Sequence, residues 1–154
     1  MKKRAVQLGM VLAVILCVSS YAASHCEVPC GIYDDNLRFK MIAEDIDTIE
    51  KAMKQIQQLA KEKPINYNQL VRWINTKEDH ANRIQHTVSQ YFMTQKVKLG
   101  SEHYTEKLSI LHHMLVYAMK CKQTTDLKNA EILRDLLHKY SHGDFDYTHK
   151  KDAK

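Results

Sequence analysis

Residues 42–60 read IAEDIDTIEKAMKQIQQLA, and the spacing of their apolar side chains decides the class of fold. Apolar residues recur at alternating steps of four and three, which is the spacing of a helix that packs in a bundle. The positions are Ile42, Ile46, Ile49, Met53, Ile56 and Ala60. Asp35 or Asn36 is suited to cap the start of this helix, and Pro64 ends it.

The same apolar spacing recurs three more times along the chain. The second helix is interrupted at Lys77 and closes before Gly100, Ser101 caps the third, and Thr124 or Thr125 opens the fourth, which runs to about residue 141. The apolar positions are Leu70, Ile74, Ala81, Ile84, Val88 and Tyr91, then Tyr104, Leu108, Leu111, Leu115 and Ala118, then Leu127, Ala130, Leu133 or Arg134, Leu137 and Tyr140. Short connections predict an all-α, up-down antiparallel four-helix bundle over residues 36–141, followed by a polar tail at 142–154.

Composition agrees with a helical chain and excludes a nucleic-acid binder. The 154 residues include only four Gly and two Pro, which favours helix throughout. Removal of residues 1–24 takes away three basic and no acidic residues, so the formal charge falls from +5 to +2. The remaining lysines are interspersed with acids, as in Glu50-Lys51, and form no basic stripe. We therefore expect a single domain that binds no nucleic acid.

The first 24 residues have the organisation of a cleaved export signal. Lys2, Lys3 and Arg4 form a basic start, residues 5–18 an apolar core, and residues 22–24 (Ala-Ala-Ser) a site for a signal peptidase or maturation protease. The prediction is an exported protein, periplasmic or secreted, with no stable membrane association. Cleavage after Ser24 makes His25 the new N-terminus.

Residues 25–33, His-Cys-Glu-Val-Pro-Cys-Gly-Ile-Tyr, would then place five potential metal donors within six residues. The amine of His25 and the amide nitrogen of Cys26 close one chelate ring on a metal, and the same amide and the Cys26 thiolate close a second. Cys30 supplies a second sulfur, and the His25 imidazole can take an axial position. Two nitrogens and two sulfurs in a plane favour Ni(II) or Cu(II) over tetrahedral Zn(II).

At these nine residues the chain resembles the nickel superoxide dismutases, whose N-terminal nickel hook reads His-Cys-x-x-Pro-Cys-Gly-x-Tyr. The resemblance implies an enzyme that converts superoxide to oxygen and hydrogen peroxide through a Ni(II)/Ni(III) cycle. By this resemblance, His25, Cys26 and Cys30 are expected to hold one nickel ion per subunit. Pro29 and Gly31 shape the hook, residues 25–35, and Tyr33 stands beside the open face where superoxide arrives. The resemblance also implies a homohexamer.

The chain departs from the family at the residue that orients the axial histidine. In some members this residue is a glutamate sixteen positions after the histidine, where this chain has Met41. Glu44 is the nearest acid on the following turn, so the sequence leaves the partner of His25 open. The family also places a second aromatic residue near its metal, and Tyr91-Phe92 is either that residue or a core aromatic pair.

Two other classes of protein stay open at this stage. One is an exported metal-binding bundle, for nickel or copper, that uses the same hook without turnover. The other is an interaction module with a Cys26–Cys30 disulfide, which an oxidising compartment favours.

The remaining candidate residues are interpreted as structural. Cys121 is a buried thiol without a partner, and the histidines outside the hook, among them His80, His86, His112, His113 and His138, are ordinary surface or half-buried residues.

Overall fold

The computed structural model describes residues 32–145, together with Arg4 and Met10. The chain divides between Tyr33 and Asp34 into two units, and the second contains four α-helices. They are α1 (Asp35–Leu59), α2 (Tyr67–His86), α3 (Tyr104–Gln123) and α4 (Lys128–His142). A π-helical segment, Thr87–Lys96, continues α2 without a break and is called the π segment below.

The predicted all-α four-helix bundle is confirmed. Helix α1 packs against α2 and α4, and α3 packs against the same two helices. No strand occurs among the described residues. A search of the same residues finds no helix with both the length and the apolarity needed to span a membrane.

The helix starts differ from the predicted caps. Asp34 caps α1, since its Oδ1 accepts a hydrogen bond of 2.9 Å from the amide of Leu37. Helix α3 begins at Tyr104, whose amide donates to the carbonyl of Ser101 at 3.1 Å, so Ser101 belongs to the turn before the helix. Thr124 is the C-terminal cap of α3, and α4 opens only at Lys128. Ser101 and Thr124 thus both lie in the connection that precedes a helix, and neither caps the start of that helix.

The core follows the predicted spacing in α1 as far as Met53, since Ile42, Ile46, Ile49 and Met53 are fully buried, whereas Ile56 is half-buried and Ala60, after the end of α1, is exposed. It departs from the prediction in α2, where Ile74 is 37% exposed and Lys77 only 4% exposed. Lys77 contacts the last turn of α3, so the ten residues of α2 before it, about 15 Å of helix, extend past the end of α3. The first apolar positions of α2 therefore have no α3 side chains to cover them.

Lys77 does not interrupt α2; it caps the end of α3. Its ammonium donates to the carbonyl oxygen of Cys121 at 2.8 Å, to the carbonyl oxygen of Lys122, and to Oε1 of Glu78 at 2.9 Å. Carbonyls in the last turn of a helix have no partner within the helix, and a cation there also complements the helix dipole. Cys121 itself is a free thiol and fully buried, as predicted, and its burial raises its pKa to about 11.

Candidate functional site

The predicted metal ligands lie before the region where the structure describes the chain continuously. His25, Cys26, Pro29, Cys30 and Gly31 are outside the described residues. Tyr33 is described; it precedes the first helix and its side chain is 45% exposed. The described residues nearest to the hook sequence are those at the start of α1.

Asp35, the first residue of α1, is held by two side chains of the π segment. The hydroxyl of Tyr91 donates to Oδ1 of Asp35 at 2.6 Å. The ammonium of Lys96 lies 3.1 Å from Oδ2 of the same carboxylate. The guanidinium of Arg38, one turn along α1, lies over the ring of Tyr91 at 5.1 Å from its centroid. Both oxygens of Asp35 are thus engaged by a neighbouring element.

The π geometry explains how two residues five apart reach the same carboxylate. In an α-helix, Tyr91 and Lys96 would point about 140° apart. In the π segment the backbone bonds join residues five apart, as in the 3.0 Å bond from the Val97 amide to the Phe92 carbonyl. Residues five apart then lie on nearly the same side. The sequence predicted an ordinary helix here, and nothing in its residue types signals the wider turn.

Tyr91 and Phe92 are both core residues, 3% and 1% exposed. Phe92 stacks on Phe39 with centroids 5.1 Å apart and meets Tyr140 edge-on at 5.3 Å. Burial, reinforced by the hydrogen bond to Asp35, raises the pKa of Tyr91 to about 12. Its phenol therefore stays protonated and remains a hydrogen-bond donor at physiological pH.

The position at which some family members have a glutamate carries no carboxylate in this chain. Met41 is 42% exposed, and its sulfur accepts a weak hydrogen bond from Nη1 of Arg38 at 3.7 Å. Glu44 is also exposed. Both lie on α1 within three turns of Asp34.

Two of the other histidine candidates, His80 and His138, have local contacts. Nδ1 of His80 lies 2.6 Å from Oδ1 of Asp45, which is 7% exposed. Burial raises the pKa of Asp45 more than His80 lowers it. The rings of His138 and His142 stack at 4.1 Å on the last turn of α4. Within residues 32–145, no three or more His, Cys, Asp or Glu side chains are grouped so that they could hold a metal ion.

The donor set of the hook sequence fits nickel. Cys26 and Cys30 offer two soft thiolates, and a chain that begins at His25 offers an amine, an imidazole and the amide of Cys26. Thiolate and deprotonated-amide donors are strong electron donors, which is what a metal needs if it is to reach a higher oxidation state. The same thiolates must be deprotonated for binding, so uptake of the metal releases protons.

Comparison with known families gives one result. The model of a family described as nickel-containing superoxide dismutase matches residues 20–146. This range includes the whole hook and all four helices of the bundle. Neither a search of curated proteins nor a search of solved structures returned a match.

Proposed function

Because the chain belongs to the nickel-containing superoxide dismutase family, oxidoreductases that act on superoxide, we propose that its nickel is held by the hook and that turnover occurs there. The observation that supports this proposal is the extent of the family match, which spans the hook together with the bundle. The ligands are the amine and imidazole of His25, the amide and thiolate of Cys26, and the thiolate of Cys30. Each subunit holds one nickel ion.

The chemistry that nickel supplies when bound is one-electron exchange between its divalent and trivalent states. The thiolates of Cys26 and Cys30 supply negative charge that makes the higher state accessible. The imidazole of His25 supplies a further nitrogen donor. The phenol of Tyr33 donates a hydrogen bond to the incoming anion or to water and restricts access to small molecules. Pro29, with its fixed φ, and Gly31, with its wide conformational range, shape the segment between the two cysteines and Tyr33.

Export and cleavage are part of this proposal. The amine donor exists only if a protease cuts the chain after Ser24, and the basic, apolar and small-residue regions of residues 1–24 support that cut. The enzyme is then periplasmic or secreted.

Self-association is proposed as well, with a hexamer as the family resemblance implies. Tyr67, Val71 and Ile74 form an exposed apolar stripe on α2, and they are 68%, 52% and 37% exposed. Their spacing of four and three places them on one face, in the turns of α2 that extend past α3. Contiguous exposed apolar side chains of this kind are typical of surfaces between proteins.

The test uses the protein purified from an exporting host. Its intact mass should show a start at His25, and it should contain about one nickel per chain and disproportionate superoxide. Cys26→Ser and Cys30→Ser should each lose nickel and turnover while the circular dichroism stays helical, since neither cysteine lies in a predicted helical seam. Cys121→Ala, which changes a buried thiol in α3, is the matched control and should keep its nickel.

Three results would contradict the proposal in different ways. An active protein that starts at Ala23 or Ser24, or retains its leader, would remove the amine ligand. Full nickel content without turnover would indicate a metal-binding protein. Loss of helical structure in both cysteine variants would indicate that the two cysteines are structural, as a disulfide would be.

A further inference from the structure

Building on the nickel site proposed above, we propose that Asp35, Tyr91 and Lys96 form a junction clamp, a set of positioning residues that holds the start of α1 so that the hook keeps its metal. None of the three is a proposed ligand. Only four residues of sequence separate Cys30, a proposed ligand, from Asp35, the first residue of α1.

Asp35 is not needed as a helix cap. Asp34 already accepts the amide of Leu37 at 2.9 Å and fills that role. Asp35 instead directs one oxygen to the hydroxyl of Tyr91, at 2.6 Å, and the other to the ammonium of Lys96, at 3.1 Å. Hydrogen bonds with a charged partner are stronger than neutral ones, and two of them fix both the position and the orientation of the carboxylate.

The backbone that supplies the two partners of Asp35 is itself unusual. A π-helical stretch is rare, and ten residues of it occur here at the place where α2 faces the start of α1. The wider turn brings Tyr91 and Lys96, five residues apart, to the same side. An α-helix over the same residues would turn one of the two away from Asp35. The π-helical backbone therefore allows Tyr91 and Lys96 to contact Asp35 at the same time.

The clamp rests on a rigid base. Phe92, the neighbour of Tyr91, is 1% exposed and stacks on Phe39 of α1 at 5.1 Å. Tyr91 meets the ring of Phe92 edge-on at 4.9 Å, and Arg38 covers the ring of Tyr91. A hydrogen-bond donor held in this way moves little, so Asp35 is held by an element that is itself fixed in the core.

The test compares three variants of the clamp with three matched controls. The clamp variants are Asp35→Asn, Tyr91→Phe and Lys96→Met. Asp47→Asn removes an acid of α1 that pairs with Arg134 at 2.6 Å, and Lys139→Met removes a lysine that pairs with Asp135 at 2.7 Å. Tyr117→Phe removes the hydroxyl of a half-buried tyrosine of α3. The controls thus remove the same chemical groups at sites away from Asp35.

The first readout does not depend on nickel. Hydrogen exchange of the metal-free protein should become about tenfold faster at the amides of residues 37–41 in each clamp variant, because the loss of a hydrogen bond to a charged group raises the population of the locally opened state. The controls should exchange as the wild type does over these residues. Unchanged exchange in all three clamp variants would overturn the clamp.

The second readout is the rate at which the nickel-loaded protein gives up its metal to an excess of chelator. We expect release about tenfold faster in the clamp variants, wild-type release in the controls, and near wild-type release in Lys96→Arg, which keeps the charge. Faster exchange with unchanged release would refute a positioning role. A wild-type protein that takes up no nickel would refute the proposed function, whereas normal uptake with unaffected clamp variants would refute the clamp alone.

Discussion

Replacing the buried Lys77 with methionine should destabilise the bundle strongly, although methionine has a similar length and is apolar. The ammonium of Lys77 donates to the carbonyls of Cys121 and Lys122 and is 4% exposed. Methionine fills much of the space but cannot donate. The acceptors are backbone carbonyls, which are present whatever the side chains at positions 121 and 122. A side-chain substitution at those positions therefore cannot remove the need for a hydrogen-bond donor.

The size of the effect follows from the groups that lose their partner. The carbonyl of Cys121 is buried and that of Lys122 is partly buried. An unsatisfied buried acceptor costs about 1–3 kcal/mol, and the loss of a cation at a helix C-terminus adds about 0.3–1 kcal/mol. Relief from burying an ammonium offsets part of this sum. We expect the free energy of unfolding to fall by about 2–3 kcal/mol, which lowers the Tm of a domain of this size by about 10 °C.

The measurement is urea unfolding of wild type and Lys77→Met, followed by circular dichroism, with Lys54→Met as the control. Lys54 pairs with Glu50 four residues earlier, and its side chain is 55% exposed, so its loss should change the free energy of unfolding by less than about 0.5 kcal/mol. Equal stability of wild type and Lys77→Met would refute the reasoning. It would mean that the free-energy cost of burying the ammonium equals the stabilisation from its hydrogen bonds to the two carbonyls.

Three further predictions concern the hook and two titrating groups. His25→Ala keeps the amine, the amide and both thiolates, so nickel analysis should find near-stoichiometric metal while superoxide turnover falls steeply; full turnover would exclude a role for the imidazole. Hydrogen bonds from Lys54 and Arg134 hold the pKa of Glu50 below its usual value, so Glu50→Gln should lower stability by less than about 1 kcal/mol at pH 7, and the difference should vanish as the pH falls through the folded-state pKa of Glu50. A difference of the same size at pH 3 would contradict this assignment. The pKa of Tyr91 is raised to about 12, so its hydroxyl stabilises the fold fully below the unfolded-state pKa of about 10 and loses that contribution as the pH rises toward 12. Thermal unfolding at pH 8 and pH 11 should show a smaller alkaline loss in Tyr91→Phe than in wild type, and equal losses would refute this.

The fold was predictable from the sequence where side-chain spacing alone decides it. Ile42, Ile46 and Ile49 are buried because they share one face of α1. The sequence reveals this face because apolar residues recur with the helical period of 3.6 residues. The exposure of Ile74 and the burial of Lys77 were not predictable, because they depend on where α3 ends relative to α2. The offset between α2 and the end of α3 arises only when the helices pack, so no local sequence pattern predicts it.

The candidate site divides in the same way. The donors of the hook were predicted from residue types and their order, since chelation by neighbouring groups is local chemistry, and they stay a prediction because they lie outside the described residues. The contacts of Asp35 with Tyr91 and Lys96 join residues 56 or more positions apart and require a π-helical backbone. Propensity and spacing gave an ordinary helix there, because the same residue types are compatible with both windings.

Cys121 shows how the bundle can contain a thiol while the enzyme makes an oxidant. Hydrogen peroxide, the product of superoxide disproportionation, reacts with thiolates and hardly at all with thiols. With a pKa of about 11, the Cys121 sulfur is ionised in roughly one molecule in ten thousand at pH 7, and it is also fully buried. The low-dielectric surroundings that make this residue a packing element thus also keep its sulfur in the unreactive thiol form.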